Sequence, residues 1–430
     1  MTRLLVRGGT VVDETGTRRA DVLIDGGAIA AVGEGLRAGD AGRVLDAGGC
    51  LVAPGLVDLH AHLRQPGHEE AETIETGARA AALGGYTAVV AMPNTDPPLD
   101  CAAAVREVLE LGAGALCDVR VAGAITKGRK GDELAPLGEM ADLGVRLFTD
   151  DGAGVQDGRL MRRALEYASA LGVTLAQHCE DDALAAGGHM NEGEWSSRLG
   201  IPGVPAEAEE LMVLRDVALA RLTAGRGSRL HFLHLSTTGS VDVVRRAKAG
   251  GLAVTAEAAP HHFTLTDASV AGYDPVFKVN PPLRTPADVE GVKAGLADGT
   301  LDAIATDHAP HAQEEKERPF DQAPPGMLGL ETALALALTE LDLPLEQVLA
   351  LLSWRPARIA GLEAHHGGPV AEGRPANLCV IDESAAWVVD PSTTASRSRN
   401  TPYAGRKLTG RARHTILRGE PVVIDGEAQR

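Results

Sequence analysis

The chain is short of positive charge, sparing with cysteine and free of long apolar runs, and each shortage removes a class of function. Lysine and arginine number 41 against 59 aspartates and glutamates, a formal net charge of -18 over 430 residues. A surface of that sign repels nucleic-acid phosphates and anionic lipid headgroups alike. The five cysteines, Cys50, Cys101, Cys117, Cys179 and Cys379, are odd in number and show no CxxC spacing. They suit a reducing compartment better than a disulfide scaffold. No stretch approaches the ~18 apolar residues of a membrane span, and the opening MTRLLVRGGTVVDETG lacks the apolar centre of a signal peptide. A cytoplasmic protein with no nucleic-acid or membrane partner is expected.

What is present is enough apolar residue, 44% of the chain, to bury a large core. Residues 1 to about 55 read as short strands and turns, including a hairpin around Asp25-Gly26-Gly27. From about residue 370, ANLCVIDES and RHTILRGEPVVIDGE repeat that style and are expected to pair with the N-terminal strands. Between them, strand-like runs alternate with Ala/Leu/Glu-rich stretches such as ETIETGARAAALGG, the pattern of a parallel sheet wrapped by helices. Eight strand-like runs finish at or near His62, Asn94, Thr126, Asp151, His178, His234, His262 and Asp307. Polar residues gathered at so many strand ends favour a (β/α)8 TIM-like barrel, whose functional side chains share one face, over an open doubly wound sheet. The expected division is residues 1–55 and 369–430 as two parts of a small β-sandwich built from both termini, with 56–368 as the barrel.

The strongest local signal is His60-Ala61-His62. In a strand, residues i and i+2 face the same way, so both imidazoles aim at one point. A lone strand histidine is ordinarily a packed core residue. An HxH pair followed by His178, His234 and Asp307 at other strand ends supplies the imidazole and carboxylate ligands of an open, catalytic zinc site. RLFTDDGAG adds two adjacent acids, Asp150 and Asp151, which period-2 geometry forbids from facing the same side.

These motifs carry a resemblance. DLHAHLRQPGHEEAETIETGARAAALGGYTAVVAMPNTDPP, HCEDDALAAGGHMNEGEWSSRLGIPGVPAEAEE, EAAPHHFTLTD, KVNPPLR, ATDHAPHAQEEK and APPGMLGLETALALAL resemble, in order, the longer bacterial dihydroorotases of the amidohydrolase superfamily. The likeness covers nearly the whole chain. It implies two zinc ions per subunit, one held by His60 and His62 and the other by His178 and His234. Asp151 would bridge them, where related hydantoinases use a carbamylated lysine that VRLFTDDG lacks. Matching the interval to QHCEDD selects Asp151 over Asp150, which is expected to serve a turn or cap. Asp307 would bind the first zinc and act as general acid and base. Arg64, two residues after His62, is expected on the strand face of His60 and His62, aimed at the substrate carboxylate. His62, Arg64, Asn94 and His311 would face the substrate, with Arg64, Asn94 and His311 gripping its carboxylate; Asn280 and the backbone at Pro325 and Gly326 would contact its ring. His231, His261 and His262 are expected to pack, and Cys179 to fill space. The chain departs from the family pattern at SWRPARIAGL and at APPG, where Pro325 replaces a more usual aromatic residue.

The implied reaction is the reversible cyclisation of N-carbamoyl-L-aspartate to (S)-dihydroorotate in de novo pyrimidine (UMP) biosynthesis. Two zinc ions would lower the pKa of a shared water from 15.7 toward ~7, and Asp307 would carry its proton to the leaving ring nitrogen. The summed charge of the loaded site is about +1, which welcomes an anion. A homo-oligomer is expected, and aspartate transcarbamoylase is a partner that the resemblance allows. Two other readings stand beside this one: a dihydropyrimidinase- or allantoinase-like cyclic-amide hydrolase, and a non-catalytic scaffold for aspartate transcarbamoylase. The bridging aspartate and Arg64 count against the first, the full ligand set against the second.

Overall fold

Eight parallel strands form the centre of the computed structural model, which describes residues 3–37, 39 and 42–430. In chain order they are β1 (Leu56–Ala61), β2 (Tyr86–Ala91), β3 (Asp118–Gly123), β4 (Leu147–Phe148), β5 (Thr174–Gln177), β6 (Arg229–Phe232), β7 (Val254–Ala258) and β8 (Ala303–Ile304). Each pairs with the next, and the ring closes where Ala61 bridges His308 and His62 N donates to His308 O at 2.8 Å. Asp58 reinforces this seam by accepting from Thr306 N at 2.8 Å and Thr306 Oγ1 at 2.6 Å. The protein is a (β/α)8 barrel.

Parallel neighbours require crossover connections, and helices supply them. The helix Gly158–Leu171 shows why the sequence complies. Asp157 caps it by accepting from Arg159 N and Leu160 N, and Gly172 ends it at φ 67°. Met161, Ala164, Leu165 and Ala168 fall at i, i+3, i+4 and i+7 and are its buried face. Burial of a side chain such as Leu165 contributes roughly 1.5–3 kcal/mol. Along the strands the alternation is period 2. Leu56, Val89, Val121 and Phe232 join the cluster that packs on the helices, whereas Val57, Leu59, Ala88 and Val90 join a second one with Ala357, Ala360 and Leu362. The segment carrying Ala357 is tied to the start of β1 by Ser353 Oγ donating to Gly55 O at 2.9 Å. That end of the barrel is therefore closed, and chemistry is left to the carboxyl ends of the strands.

The termini build two further sheets. One has the order Ala28–Gly33, Asp21–Asp25, Leu4–Arg7, Arg43–Asp46; the other joins Leu51–Pro54 to Thr10–Asp13 on one side and Leu378–Val388 on the other. Leu4, Val22 and Ile24 of the first share one apolar cluster with Val11, Val52, Val380 and Ile416 of the second, so the sheets pack face to face as a sandwich. The expected hairpin is present, with Gly26 at φ 60° and Gly27 at φ 87° allowing a two-residue turn. Among the described residues no helix is long and apolar enough to cross a membrane.

Candidate metal centre

Side chains at the ends of β1, β4, β5, β6 and β8 converge on Asp151. Its Oδ1 stands 3.4 Å from each of His60 Nε2, His178 Nδ1 and His234 Nε2, and its Oδ2 stands 3.5 Å from His62 Nε2. Asp307 Oδ1 lies 3.3 Å from His62 Nε2 and 3.6 Å from His60 Nε2, and His178 Nδ1 lies 3.1 Å from His234 Nε2. All six residues are buried. Asp151, not Asp150, reaches this cluster. Asp150 turns the other way and accepts from Ile125 N at 2.8 Å, Thr126 N at 3.1 Å and Thr126 Oγ1, binding β4 to the loop after β3.

The donor set suits a cation. His60 Nε2 and Asp151 Oδ1 find no hydrogen-bond partner among the described residues, although both are buried. Such atoms are costly unless something else satisfies them. A tetrahedral ion with ligands at about 2.0–2.1 Å has ligand–ligand edges of about 3.3 Å, and the separations here run from 3.1 to 3.6 Å. His60, His62 and Asp307 form one group able to hold a metal ion, and His60, Asp151 and His234 another. Electrostatics agree with the geometry. Burial opposes charge on His60, yet Asp151, Glu257 and Asp307 together raise its pKa well above the ordinary imidazole value. Burial likewise opposes ionisation of Asp151, and His60, His178 and His234 overcome it, holding the carboxyl well below its usual range.

Behind the cluster lies a layer that the sequence did not disclose. His60 Nδ1 is 3.1 Å from Glu257 Oε1; the other oxygen of Glu257 is 2.9 Å from His231 Nε2, and His231 Nδ1 is 2.8 Å from Thr255 Oγ1. Burial opposes the Glu257 charge, but the two imidazoles hold its pKa down at about 2, so it is ionised. An ionised Glu257 accepts from His60 Nδ1–H and leaves the Nε2 lone pair free to point into the cluster. His231 was expected only to pack; it does so, and it also orients this acid. Asn94 Oδ1 does the same for His62, at 2.9 Å from Nδ1. His262 is structural, its Nε2 3.0 Å from Pro281 O, whereas His261 departs from a purely packing role because its Nε2 faces Asp307 Oδ2 at 3.7 Å. The signal for Glu257 was a charged residue inside the strand run LAVTAEAAP, on a barrel strand that is buried at every position but Thr255.

A cavity of about 170 Å³ opens above the cluster, lined by His62, Asn94, Asp151, Asp307 and, on its outer side, by Arg64, Asn280, His311, Pro325 and Gly326. Arg64 arrives there by a different route from the one expected. It lies beyond β1 with φ 61°, so strand alternation does not aim it. Its Nε donates to Pro310 O at 3.0 Å, which turns the guanidinium toward His311 Nε2 at 3.3 Å. His234 and Asp307 also have positive φ, at 30° and 47°. Left-handed backbone costs an L-residue about 1–3 kcal/mol, and such strain gathers at functional sites. Asn280 Nδ2 lies 3.3 Å from Glu180 Oε1. The backbone polar groups of Pro325 and Gly326 are already engaged: Pro325 O by His311 Nε2 at 2.8 Å and Gly326 N by Lys278 O at 2.8 Å.

Three comparisons bear on this site. A family model described as dihydro-orotase-like matches residues 49–240. The chain is 50% identical over 430 residues to a dihydroorotase of Pelotomaculum thermopropionicum, covering 98% of this chain and 99% of that one. It is also 50% identical over 434 residues to a dihydroorotase of Streptomyces coelicolor, covering 99% and 100%. Among solved structures, an L-hydantoinase (dihydropyrimidinase) from Arthrobacter aurescens is similar at a TM-score of 0.88 and 26% identity, covering 100% of this chain and 98% of that one.

Proposed function

The chain belongs to the dihydroorotase family, and we propose that its Asp151-centred cluster is a zinc site at which N-carbamoyl-L-aspartate and (S)-dihydroorotate interconvert. It is a cyclic amidohydrolase acting on a small molecule. The observation that carries the zinc reading is the single Asp151 oxygen standing 3.4 Å from three imidazole nitrogens. His60, His62 and Asp307 would hold one zinc ion, His178 and His234 the second, and Asp151 both. Bound zinc supplies positive charge that acidifies water and polarises a carbonyl.

The protein's own groups account for the rest. Asp307 presents one oxygen to His60 and His62 and the other toward His261, at the floor of the cavity. It accepts the proton of the attacking water and returns it to the ring nitrogen as the amide C–N bond breaks. In the closing direction it takes that proton from the carbamoyl nitrogen as the C–N bond forms and delivers it to the departing hydroxide, which leaves as water. Arg64 binds the substrate carboxylate through the guanidinium edge that Pro310 leaves free, with His311 beside it. Burial lowers the Arg64 pKa only to about 10, so it stays cationic at neutral pH. Asn94 orients His62 through its carbonyl oxygen and keeps its amide N–H groups for substrate. Residues 56–368 are assigned to the barrel and the remainder to the sandwich, in a homo-oligomer.

The test is a substrate panel on zinc-reconstituted protein: dihydroorotate, dihydrouracil, hydantoin and allantoin. Dihydroorotate should be turned over with a kcat/KM at least ~10²-fold above the others, since a half-buried Arg64 left without its carboxylate penalises them. Equal turnover of hydantoin would refute the assignment of Arg64.

A further inference from the structure

Lys316 ends the motif ATDHAPHAQEEK, and nothing in the zinc or carboxylate chemistry above uses it. It closes the short helix Gln313–Lys316, on the segment between His311 and the cavity-lining Pro325. Its ammonium turns inward and donates to three backbone carbonyls: Pro324 O at 2.9 Å, Gly326 O at 3.0 Å and Lys278 O at 3.4 Å. An ammonium has three N–H donors and no acceptor, so its capacity is fully used.

Those carbonyls belong to two segments that are remote in sequence and adjacent in the cavity wall. Lys278 leads into Val279 and Asn280, and Pro324 leads into Pro325 and Gly326; these four line the cavity. Gly326 N also donates to Lys278 O at 2.8 Å, so one backbone bond joins the segments and Lys316 spans the same junction. Lys278 reciprocates, its Nζ donating to Phe320 O at 2.8 Å and Asp321 O at 3.2 Å. The junction has little slack. Gly326 has φ 143°, and a Cβ there would stand 2.8 Å from His311 Nε2.

A half-buried ammonium is a poor choice for holding a loop closed. Burial first, and Lys278 second, pull the Lys316 pKa down to about 7 against the pull of Asp274 and Glu315. A methionine would fill the same space without that desolvation cost. What methionine lacks is three donors directed at three carbonyls.

We propose that Lys316 is a positioning residue that fixes the spacing between the Lys278–Asn280 and Pro324–Gly326 segments, and through them the substrate-side wall of the cavity. The proposal takes its assay substrate from the dihydroorotase reading but stands on the geometry of the junction.

The test compares wild-type protein with Lys316→Met and Lys316→Arg by steady-state kinetics, thermal unfolding and hydrogen exchange of residues 320–328. In Lys316→Met the KM for dihydroorotate should rise ~10-fold or more while kcat changes by less than about threefold, because the wall lies away from the reacting atoms and its contacts bind substrate and transition state alike. Its melting temperature should be unchanged or higher, and amides in 320–328 should exchange at least ~10-fold faster. Lys316→Arg keeps the charge in a planar fork that cannot meet three converging carbonyls, so it should behave like Lys316→Met. A wild-type KM in Lys316→Arg would overturn the proposal by showing that charge alone suffices. Unchanged exchange in Lys316→Met, or a fall in melting temperature and kcat with KM intact, would overturn it as well. If wild-type protein fails to open dihydroorotate, the functional reading falls, and the exchange comparison still decides the role of Lys316.

Discussion

Removing Glu257 tests whether the layer behind the cluster matters to metal binding. Glu257 touches no substrate; it accepts from His60 Nδ1 at 3.1 Å and His231 Nε2 at 2.9 Å with both oxygens buried. Leucine at this position would leave two buried N–H groups without acceptors, at about 1–3 kcal/mol each in stability. It would also let His60 swap tautomers, placing a proton on the Nε2 that faces Asp151 and Asp307. Loss of such an outer partner typically weakens metal binding about 10–100-fold, which is about 1.4–2.7 kcal/mol. Glutamine should sit at the mild end of that range. Its carbonyl can serve His60, and its amide can donate to His231 if that ring moves its proton to Nδ1, where Thr255 Oγ1 at 2.8 Å can accept. The assay is competition of the apo-protein against a chromophoric chelator for zinc, with wild type, Glu257→Gln and Glu257→Leu in parallel. Wild-type zinc affinity in Glu257→Leu would refute the argument, because His60 would then need no help in presenting Nε2.

Asp151→Asn should halve zinc content or abolish it, with hydrolysis lost, while Asp150→Asn should keep its zinc and lose about 1 kcal/mol of stability through weakened bonds to Ile125 and Thr126. Because the bridge is an encoded carboxylate, bicarbonate should make no difference to reconstitution; a requirement for it would overturn the assignment of Asp151. Asp307→Asn should still bind dihydroorotate but lose about 10²–10⁴-fold in kcat, equally for ring opening and ring closing. A wild-type rate in either direction would remove its proton-carrying role.

Much of the site was legible because it rests on short-range rules. His60 and His62 share a face by strand periodicity, and the strand endings at His178, His234 and Asp307 follow from apolar runs stopping at a polar residue. The choice between Asp150 and Asp151 needed the interval to QHCEDD as well, since alternation says only that the two diverge. Glu257 and His231 were not legible as a pair. A buried glutamate in a strand looks like any other charged residue until the partner across β6 and β7 is known. Arg64 was assigned to the cavity by the wrong geometry: a left-handed φ and a bond to Pro310, 246 positions away, aim it.

The sequence by itself determined the alternation of strands and helices, the polar residues at most strand ends (the seventh strand stops at Ala258, and His262 lies on the helix that follows) and the chemistry those residue types can perform. These depend on contacts within a few positions, where periodicity 2 and 3.6 are enforced by backbone sterics. Only the tertiary structure decided which atoms meet: the Nε2 of His60 rather than its Nδ1, the bonds of Asp150 to Ile125 and Thr126, and the three carbonyls around Lys316. Those outcomes follow from the closing of the ring between Ala61 and His308, a pairing across nearly the whole barrel. Local sequence cannot encode such a pairing, because its free energy comes from the packing of all eight strands at once.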